Sequence, residues 1–333
     1  MSDKKCEREK YLFLSAHLRA KEAKMLTAEK AARVLDAGSF EEAAKQLCDC
    51  GYEDMSGMSV GEINAALNER KKAVFKDITN LLPDKEIADI FRIKYDYHNA
   101  KVLIKAEAMN GERFDLLSSA GRMEPEKIAT AYREESFAFC PDVLAKAMMD
   151  AKRVLNRSEN PQLADFILDK ACFGELTAVS KKLGSKFVKG YVELLIDCAN
   201  LKSAVRCLRM SKNADFMRNA LIPDGSVYAE KIATVNSPEA LAALFSVTKL
   251  KDAAAKGADA VGGGRMTAFE LACDNAVTAY LKDAKLVSFG EAPAVAYLAA
   301  FETELTAVRM ILTGLKAGIS ADTIRERLRD FYA

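Results

Sequence analysis

A glycine-rich segment, GADAVGGGRMT from Gly257, is the closest approach in this sequence to a phosphate-binding loop. Such a loop needs two glycines five positions apart followed by Lys and then Ser or Thr, because the lysine reaches the phosphates and the hydroxyl binds Mg²⁺. Gly257 and Gly262 have that spacing, but Gly263 stands where the lysine is required. We therefore interpret residues 257–264 as a surface loop, and the sequence predicts no cofactor.

Histidine and cysteine, which most often bind transition metals or act as nucleophiles, lack the spacing that such chemistry needs. The two histidines, His17 and His98, are far apart, so the two-histidine zinc motif is absent. Of the eight cysteines only Cys48 and Cys50 are close, and side chains two positions apart on a helix do not face one another. We expect small buried thiols in a reducing compartment, no metal site and no catalytic residue.

Two pairs of acidic residues stand four positions apart, Asp165 with Asp169 and Glu270 with Asp274, so each pair shares a helix face. Two carboxyls of this kind can act as acid and base when a pocket separates their pKa values. The same spacing is common on solvated helix surfaces, and we favour that interpretation. An all-α enzyme that uses such a pair or a cysteine stays open as an alternative.

A polar motif recurs along the chain, and such a repeat decides the architecture. YDYHNAKVLIKA from Tyr95 and IDCANLKSAVRC from Ile196 both read Asp-x-x-Asn-x-Lys, and AFETELTAVRMI is a weaker copy with Glu in the place of Asn. The polar positions of the three copies are Asp96, Asn99, Lys101, Asp197, Asn200, Lys202, Glu304 and Arg309. The central positions are 101 and 104 residues apart, which predicts three helical units at residues 1–115, 116–215 and 216–333.

These polar positions lie in long helices, where Asp and Asn three positions apart share a face. One interpretation is a polar contact with a partner, repeated around a pseudo-threefold axis. The other, which we favour, is a set of hydrogen bonds between helices that fixes their register.

A locally basic stretch overlaps the second copy and is opposed mainly by Asp215. This basic segment comprises Lys202, Arg206, Arg209, Lys212 and Arg218. Cations at the C-terminal end of a helix are favoured by the helix dipole. The alternative is a docking patch for an acidic partner, formed by the four residues from Arg206 onward.

Helix signals recur along the chain, whereas strand signals are scarce. Ser59-Val60-Gly61-Glu62 is a capping box that opens a helix running to about Leu82. Ser320 is a good N-cap for a last helix that should reach about Phe331. Together with the 3.6-residue periodicity of the apolar positions, these signals predict an all-α protein. The spacing of the polar motif adds the prediction of a threefold pseudo-repeat.

The composition limits the functional classes. The 333 residues include 49 Lys and Arg and 48 Asp and Glu, so the charge balance is not that of a nucleic-acid coat protein. A hydrophobic fraction of 50% argues against disorder. The longest apolar stretch, Ala292 to Phe301, is too short to span a bilayer. We expect a soluble cytoplasmic protein without direct membrane insertion and without a nucleic-acid partner.

The chain resembles the family of the C subunit of V-type (A/V-type) ATP synthases, which includes the eukaryotic V-ATPase d subunit. The similarity runs from near residue 11 to the end and rests on the order and spacing of several segments. These segments are YLFLSAHLRAKE, YDYHNAKVLIKA, LDKACFGEL, LLIDCANLKSAVRCLRM and AYLAAFETELTAVRMILTGLKAGISADTIRERL. Residues 257–264 depart from the family pattern.

The resemblance implies a three-lobed helical funnel that has no catalytic activity and forms part of a rotor. It implies a position on the cytoplasmic face of a proteolipid ring, with the central stalk inserted into the funnel and torque passing through it. A free-standing helical-repeat adaptor is the alternative. The sequence identifies neither H⁺ nor Na⁺ as the coupling ion, nor the direction of ATP synthesis or hydrolysis.

Overall fold

The computed structural model describes residues 9–109, 111 and 113–333. Over these residues the chain is all-α with no β-strand, which confirms the predicted fold class. The α-helices, numbered in chain order, are α1 Leu12–Glu22, α2 Ala28–Leu35, α3 Phe40–Gln46, α4 Val60–Leu81, α5 Glu86–Ala108, α6 Pro125–Glu134, α7 Asp142–Ser158, α8 Pro161–Leu183, α9 Lys186–Arg209, α10 Ala214–Ala220, α11 Ala229–Ala233, α12 Pro238–Leu244, α13 Lys251–Val261, α14 Met266–Lys282, α15 Glu291–Lys316 and α16 Ala321–Arg325. Short 3₁₀ helices cover Leu47–Cys50, Phe114–Leu116 and Asp283–Leu286.

The chain divides into two compact units. Unit 1 combines Met1–Ile87, described from residue 9, with Glu270–Ala333, and unit 2 comprises Ala88–Phe269. The three units predicted at 1–115, 116–215 and 216–333 were defined by the spacing of the repeated motif, whereas the two compact units are defined by contacts within the fold. The threefold repeat stays a prediction.

Unit 1 is built around α15, whose residues Ala292 to Phe301 are all buried. Many of these residues are alanine or valine. Helices α1, α3 and α4 pack against α15. The apolar stretch noted in the sequence is therefore a core helix. In the part of the chain that the structure describes, no helix combines the length and the apolar character needed to cross a membrane.

Helix α4 begins as the sequence predicted. Ser59 accepts a hydrogen bond from the Glu62 N–H while the Glu62 carboxylate accepts one from the Ser59 N–H, which completes the capping box. The two bonds supply partners for N–H groups at the helix start that have none within the helix. The predicted end near Leu82 agrees with the observed end at Leu81.

The last helix is shorter than predicted. It ends at Arg325 instead of Phe331, and the chain continues without regular structure. Tertiary contacts hold this tail: Arg329 pairs with Asp274 at 3.0 Å, and the Tyr332 hydroxyl donates to Glu22 at 3.0 Å. These contacts override the local helical propensity of the tail.

Unit 2 is organised around α9, which packs against α8, α13 and the short α10. The prediction of a loop over residues 257–264 is wrong for its first half, because α13 continues to Val261 and buries Gly257. A Cβ at Gly257 would lie 2.8 Å from Cγ2 of Val205 and 3.1 Å from Cε2 of Phe269. Glycine therefore serves close helix packing here, and only residues 262–265 form the connection.

Candidate functional site: three buried clasps and a basic segment

Asn99, on α5, is fully buried and binds the backbone of Ser118 through two hydrogen bonds. Its Nδ2 donates to the Ser118 carbonyl at 2.9 Å, and its Oδ1 accepts from the Ser118 N–H at 2.7 Å. The amide thus satisfies both backbone groups of a residue that lies outside any helix. We call this side-chain attachment of a distant segment to a long helix the first clasp.

Asp96, one turn before Asn99, extends the first clasp. Its Oδ1 accepts from the backbone N–H groups of Arg122 and Met123 at 2.9 and 3.2 Å. Its Oδ2 accepts from Nε of Arg122 at 2.7 Å, and Nη1 of Arg122 contacts Glu175 of α8 at 2.5 Å. Burial by itself would lower the pKa of Arg122, but the hydrogen bonds to Glu175 and Asp96 raise it. The guanidinium therefore stays charged between two carboxylates.

The second clasp, on α9, repeats this arrangement. Asn200 is fully buried, donates to the Ile222 carbonyl at 2.8 Å and accepts from the Ile222 N–H at 2.7 Å. Asp197 accepts from the Val227 N–H at 3.2 Å and from the Ser226 hydroxyl. Burial raises the pKa of Asp197 and outweighs the lowering effect of the hydrogen bonds from Ser226 and Val227.

The segments held by the two clasps correspond residue by residue, each pair 104 positions apart. The pairs are Ser118 with Ile222, Gly121 with Gly225, Arg122 with Ser226, and Met123 with Val227. Because Asn99 and Asn200 are only 101 positions apart, the second connection is three residues longer. A Cβ at either glycine would overlap Oδ1 of the clasp aspartate, so each glycine lets the backbone approach that carboxylate.

The third clasp, on α15 of unit 1, has different chemistry. Glu304 is 4% exposed and accepts from the Leu26 N–H through Oε2 and from the Tyr52 hydroxyl through Oε1, both at 2.7 Å. Burial raises the pKa of Glu304 against the lowering effect of these two donors. Here the two bonded residues precede Glu304 in the chain by 278 and 252 positions.

The basic partners of the repeat bind neighbouring helices. Lys101 pairs with Asp169 of α8 at 2.6 Å. Arg309 donates to the side-chain oxygens of Asn64 and Asn68 on α4, at 2.9 and 3.2 Å. Lys202 is half-buried on α9. Lys101 and Arg309 thus join neighbouring helices, whereas Asn99 and Asn200 bind connecting segments. Any role of these polar positions toward a partner stays a prediction.

The basic segment lies at the end of α9 and along α10. Arg206 and Arg209 are exposed in the last turn of α9, and Lys212 lies 5.2 Å from the ring centroid of Phe216. Arg218 is tied to acidic groups, because it pairs with Asp215 at 2.8 Å and with Glu230 at 3.3 Å. Arg206, Arg209 and Lys212 are exposed and follow one another closely along the chain.

The residues considered for catalysis have structural partners. Asp165 and Asp169 pair with Lys105 and Lys101, and Asp274 pairs with Arg329. The ring of His17 contacts Asp77 at 3.1 Å, and that of His98 contacts the Leu116 carbonyl at 3.0 Å. Within residues 9–109, 111 and 113–333, no three or more His, Cys, Asp or Glu side chains are grouped as metal ligands.

A family model described as ATP synthase (C/AC39) subunit matches residues 14–327. The chain is 24% identical to the C subunit of the V-type sodium ATPase of Enterococcus hirae, over 81% of this chain and 83% of the relative. It is 24% identical to the C subunit of the A-type ATP synthase of Pyrococcus abyssi, over 95% and 89%. It is 22% identical to the C subunit of the V-type ATP synthase of Thermus thermophilus, over 59% and 62%.

The family match covers the helices of all three clasps and the basic segment. It agrees with the resemblance seen in the sequence and with the all-α fold. Subunits of this family are non-catalytic parts of rotary ATPase complexes, and the chain is one of them. The chain belongs to the ATP synthase (C/AC39) subunit family, the family of the C subunit of V/A-type ATP synthases.

Proposed function

We propose that this protein is a rotor subunit that joins the proteolipid ring to the central stalk of a V/A-type ATPase and transmits torque during H⁺ or Na⁺ transport. It acts as a socket on the cytoplasmic face of the membrane, where it is held through the complex rather than by insertion into lipid. The observation that supports this proposal most is the match of the chain to relatives of this family over 81% and 95% of its length.

The clasps suit a part that carries torque. Each one fastens a connecting or terminal segment to a long helix through buried hydrogen bonds, as Asn99 does for Ser118 and Asn200 for Ile222. Buried hydrogen bonds in a low-dielectric interior resist opening, because an opened partner loses its bond without full hydration. Segments that are fastened in this way are suited to passing a force from one partner to another without unwinding.

The basic segment is the surface that we assign to an acidic face of the ring or the stalk. Arg206, Arg209 and Lys212 lie within seven residues of one another at the end of α9 and beyond it, and all three are exposed. Clustered charges of one sign speed the encounter with an oppositely charged partner and orient it.

The test is a reconstitution in vesicles of the complex from the same organism, with and without this subunit. We expect the complex that lacks the subunit to hydrolyse ATP without pumping ions, and the purified protein to restore pumping when it is added back. A complex that pumps equally well without the subunit would refute the coupling role. A protein that binds neither the detergent-solubilised ring nor the isolated stalk would favour the adaptor interpretation instead.

A further inference from the structure

Of the three central clasp positions, Glu304 alone carries an ionisable side chain. Asn99 and Asn200 each present one donor and one acceptor, and each finds a backbone carbonyl and a backbone N–H in matching positions. Glu304 instead faces two donors, the Leu26 N–H and the Tyr52 hydroxyl. An ionised Glu304 accepts from both donors but gives up nearly all of its hydration, since it is only 4% exposed.

The charged surroundings of Glu304 offset only part of that cost. Arg70 stacks its guanidinium 4.1 Å from the ring centroid of Tyr52, and both Arg70 and Lys30 lower the pKa of Glu304. Burial acts in the opposite direction and dominates, so the pKa of Glu304 is raised. The ionisable groups that face Glu304 or line the cavities beside it are Lys21, Lys24, Lys30, Cys50, Tyr52, Arg70, Tyr297, Asp330 and Tyr332.

Protonation would make Glu304 chemically similar to the other two clasps. A neutral carboxyl has one carbonyl oxygen to accept from the Leu26 N–H and one O–H to donate to the Tyr52 oxygen. That is the same pair of one acceptor and one donor that the asparagine amides present. The carboxyl itself then carries no charge.

We propose that Glu304 is a proton-controlled latch that holds the N-terminal segment, residues 25–52, on α15. The latch is closed while the carboxyl is protonated. When the proton leaves to solvent, the closed form loses stability, because the buried carboxylate is poorly hydrated there. Local opening between the N-terminal segment and α15 then lets water hydrate the carboxylate.

The direction of the pH effect follows from linkage. The closed latch has a higher Glu304 pKa than an opened, hydrated carboxyl, so the closed form binds more protons. Its stability is fully present below the ordinary glutamate pKa of about 4.3 and is lost as pH rises through the raised pKa of the closed form. Acid therefore tightens the latch, and alkali loosens it.

Hydrogen exchange measured by mass spectrometry on the full chain tests this proposal. Exchange in peptides covering residues 24–30 is followed from pH 5 to pH 8 and corrected for the intrinsic rate. We expect protection in the wild type to fall about tenfold over this range, the factor that corresponds to one strong hydrogen bond lost. In Glu304→Gln, which keeps one donor and one acceptor, protection should stay at the acid level throughout.

A matched variant tests whether an ionisable side chain at a central clasp position is enough to make hydrogen-exchange protection depend on pH. Asn200→Asp places an ionisable group in the second clasp, and a new pH dependence should appear in peptides covering residues 220–223.

If Glu304→Gln does not fold, ¹³C-carboxyl glutamate resonances of the wild type provide a direct titration, and Tyr52→Phe should move the Glu304 resonance and its midpoint. The proposal is wrong if wild type and Glu304→Gln show the same pH profile at residues 24–30, or if Glu304 titrates like an exposed glutamate.

Discussion

Arg122 and Ser226 occupy matching places in the first two clasps, each beside a buried aspartate and directly after a glycine that approaches it. Asp96 therefore faces a guanidinium, whereas Asp197 is served by a hydroxyl and a backbone N–H. A hydroxyl cannot neutralise a buried carboxylate. Two clasps with the same backbone geometry thus differ in their electrostatics through one side chain, and the difference leads to separate predictions for each.

Replacing Arg122 by Met should destabilise unit 2 strongly. The change leaves the carboxylates of Asp96 and Glu175, 0% and 13% exposed, without their shared cation. Breaking a buried ion pair by removing one partner costs about 3–5 kcal/mol. Urea unfolding followed by circular dichroism measures the loss.

Ser226→Ala is the matched control for Arg122→Met, because it removes only one hydrogen bond from the second clasp. Its cost should be about 1 kcal/mol. Equal losses in Arg122→Met and Ser226→Ala would mean that the guanidinium contributes no more than a neutral hydrogen bond.

Asp197→Asn should flatten the pH dependence of stability. Burial raises the pKa of Asp197, so the folded state binds more protons than the unfolded state above the ordinary aspartate pKa of about 3.9. The contribution of Asp197 to stability is therefore lost as pH rises from that value through the raised pKa. The asparagine oxygen can still accept from the Val227 N–H, so the variant should be more stable than wild type at neutral pH. Thermal unfolding from pH 4 to pH 8 checks this, and a wild-type slope retained by the variant would contradict it.

Gly225→Ala should destabilise the second clasp, because the added Cβ would overlap Oδ1 of Asp197. Forcing extra atoms into a packed site costs about 1–3 kcal/mol.

Gly174→Ala is the opposite case: Gly174 lies on the exposed face of α8 with no atom within 4 Å of an added Cβ. There alanine should stabilise the helix by about 0.5–1 kcal/mol. Urea midpoints that shift in opposite directions would confirm both expectations, and a neutral Gly225→Ala would mean that the loop has room to move.

The sequence identified the central clasp residues because their spacing is nearly constant along the chain. It did not identify what they bind. Ser118 and Ile222 share no side-chain chemistry, since the clasps use only their backbone groups. The glycine pair Gly121 and Gly225 was a detectable signal, because its offset of 104 is close to the 101 of the asparagines.

Other features depend on contacts far apart in sequence and could not be predicted locally. The sequence shows Glu304 in the place of Asn, but its partners Leu26 and Tyr52 lie near the other end of the chain. The sequence placed Gly257 in a loop because glycine is a poor helix former. Close packing against Val205 nevertheless favours glycine at this position inside α13. In the same way, the conformation of the tail after Arg325 is determined by tertiary contacts such as the Arg329–Asp274 pair rather than by helical propensity.

Asn200→Leu should test the cost of losing a clasp directly. The substitution leaves the buried N–H and carbonyl of Ile222 without their partners, at a cost of about 1–3 kcal/mol. Asn219→Leu, on the exposed surface of α10, makes the same chemical change and should alter stability by less than about 0.5 kcal/mol. Denaturant midpoints of the two variants, measured side by side, separate burial from residue type. Similar midpoints would show that Ile222 finds other partners.

The basic segment should matter for assembly if it faces an acidic partner. Arg206→Glu with Arg209→Glu reverses two exposed charges at the end of α9 without removing a buried contact of the clasp. Affinity for the ring or the stalk should fall about tenfold or more at low salt and less at high salt, because screening weakens charge pairs between surfaces. Lys146→Glu with Arg157→Glu, an exposed pair on α7, makes the same change in net charge elsewhere and should leave binding close to wild type. Binding is measured by interferometry at several salt concentrations, with circular dichroism to confirm that helix content is intact. Wild-type affinity in the first double variant would assign Arg206 and Arg209 to the stabilisation of the C-terminal end of α9, where cations offset the helix dipole.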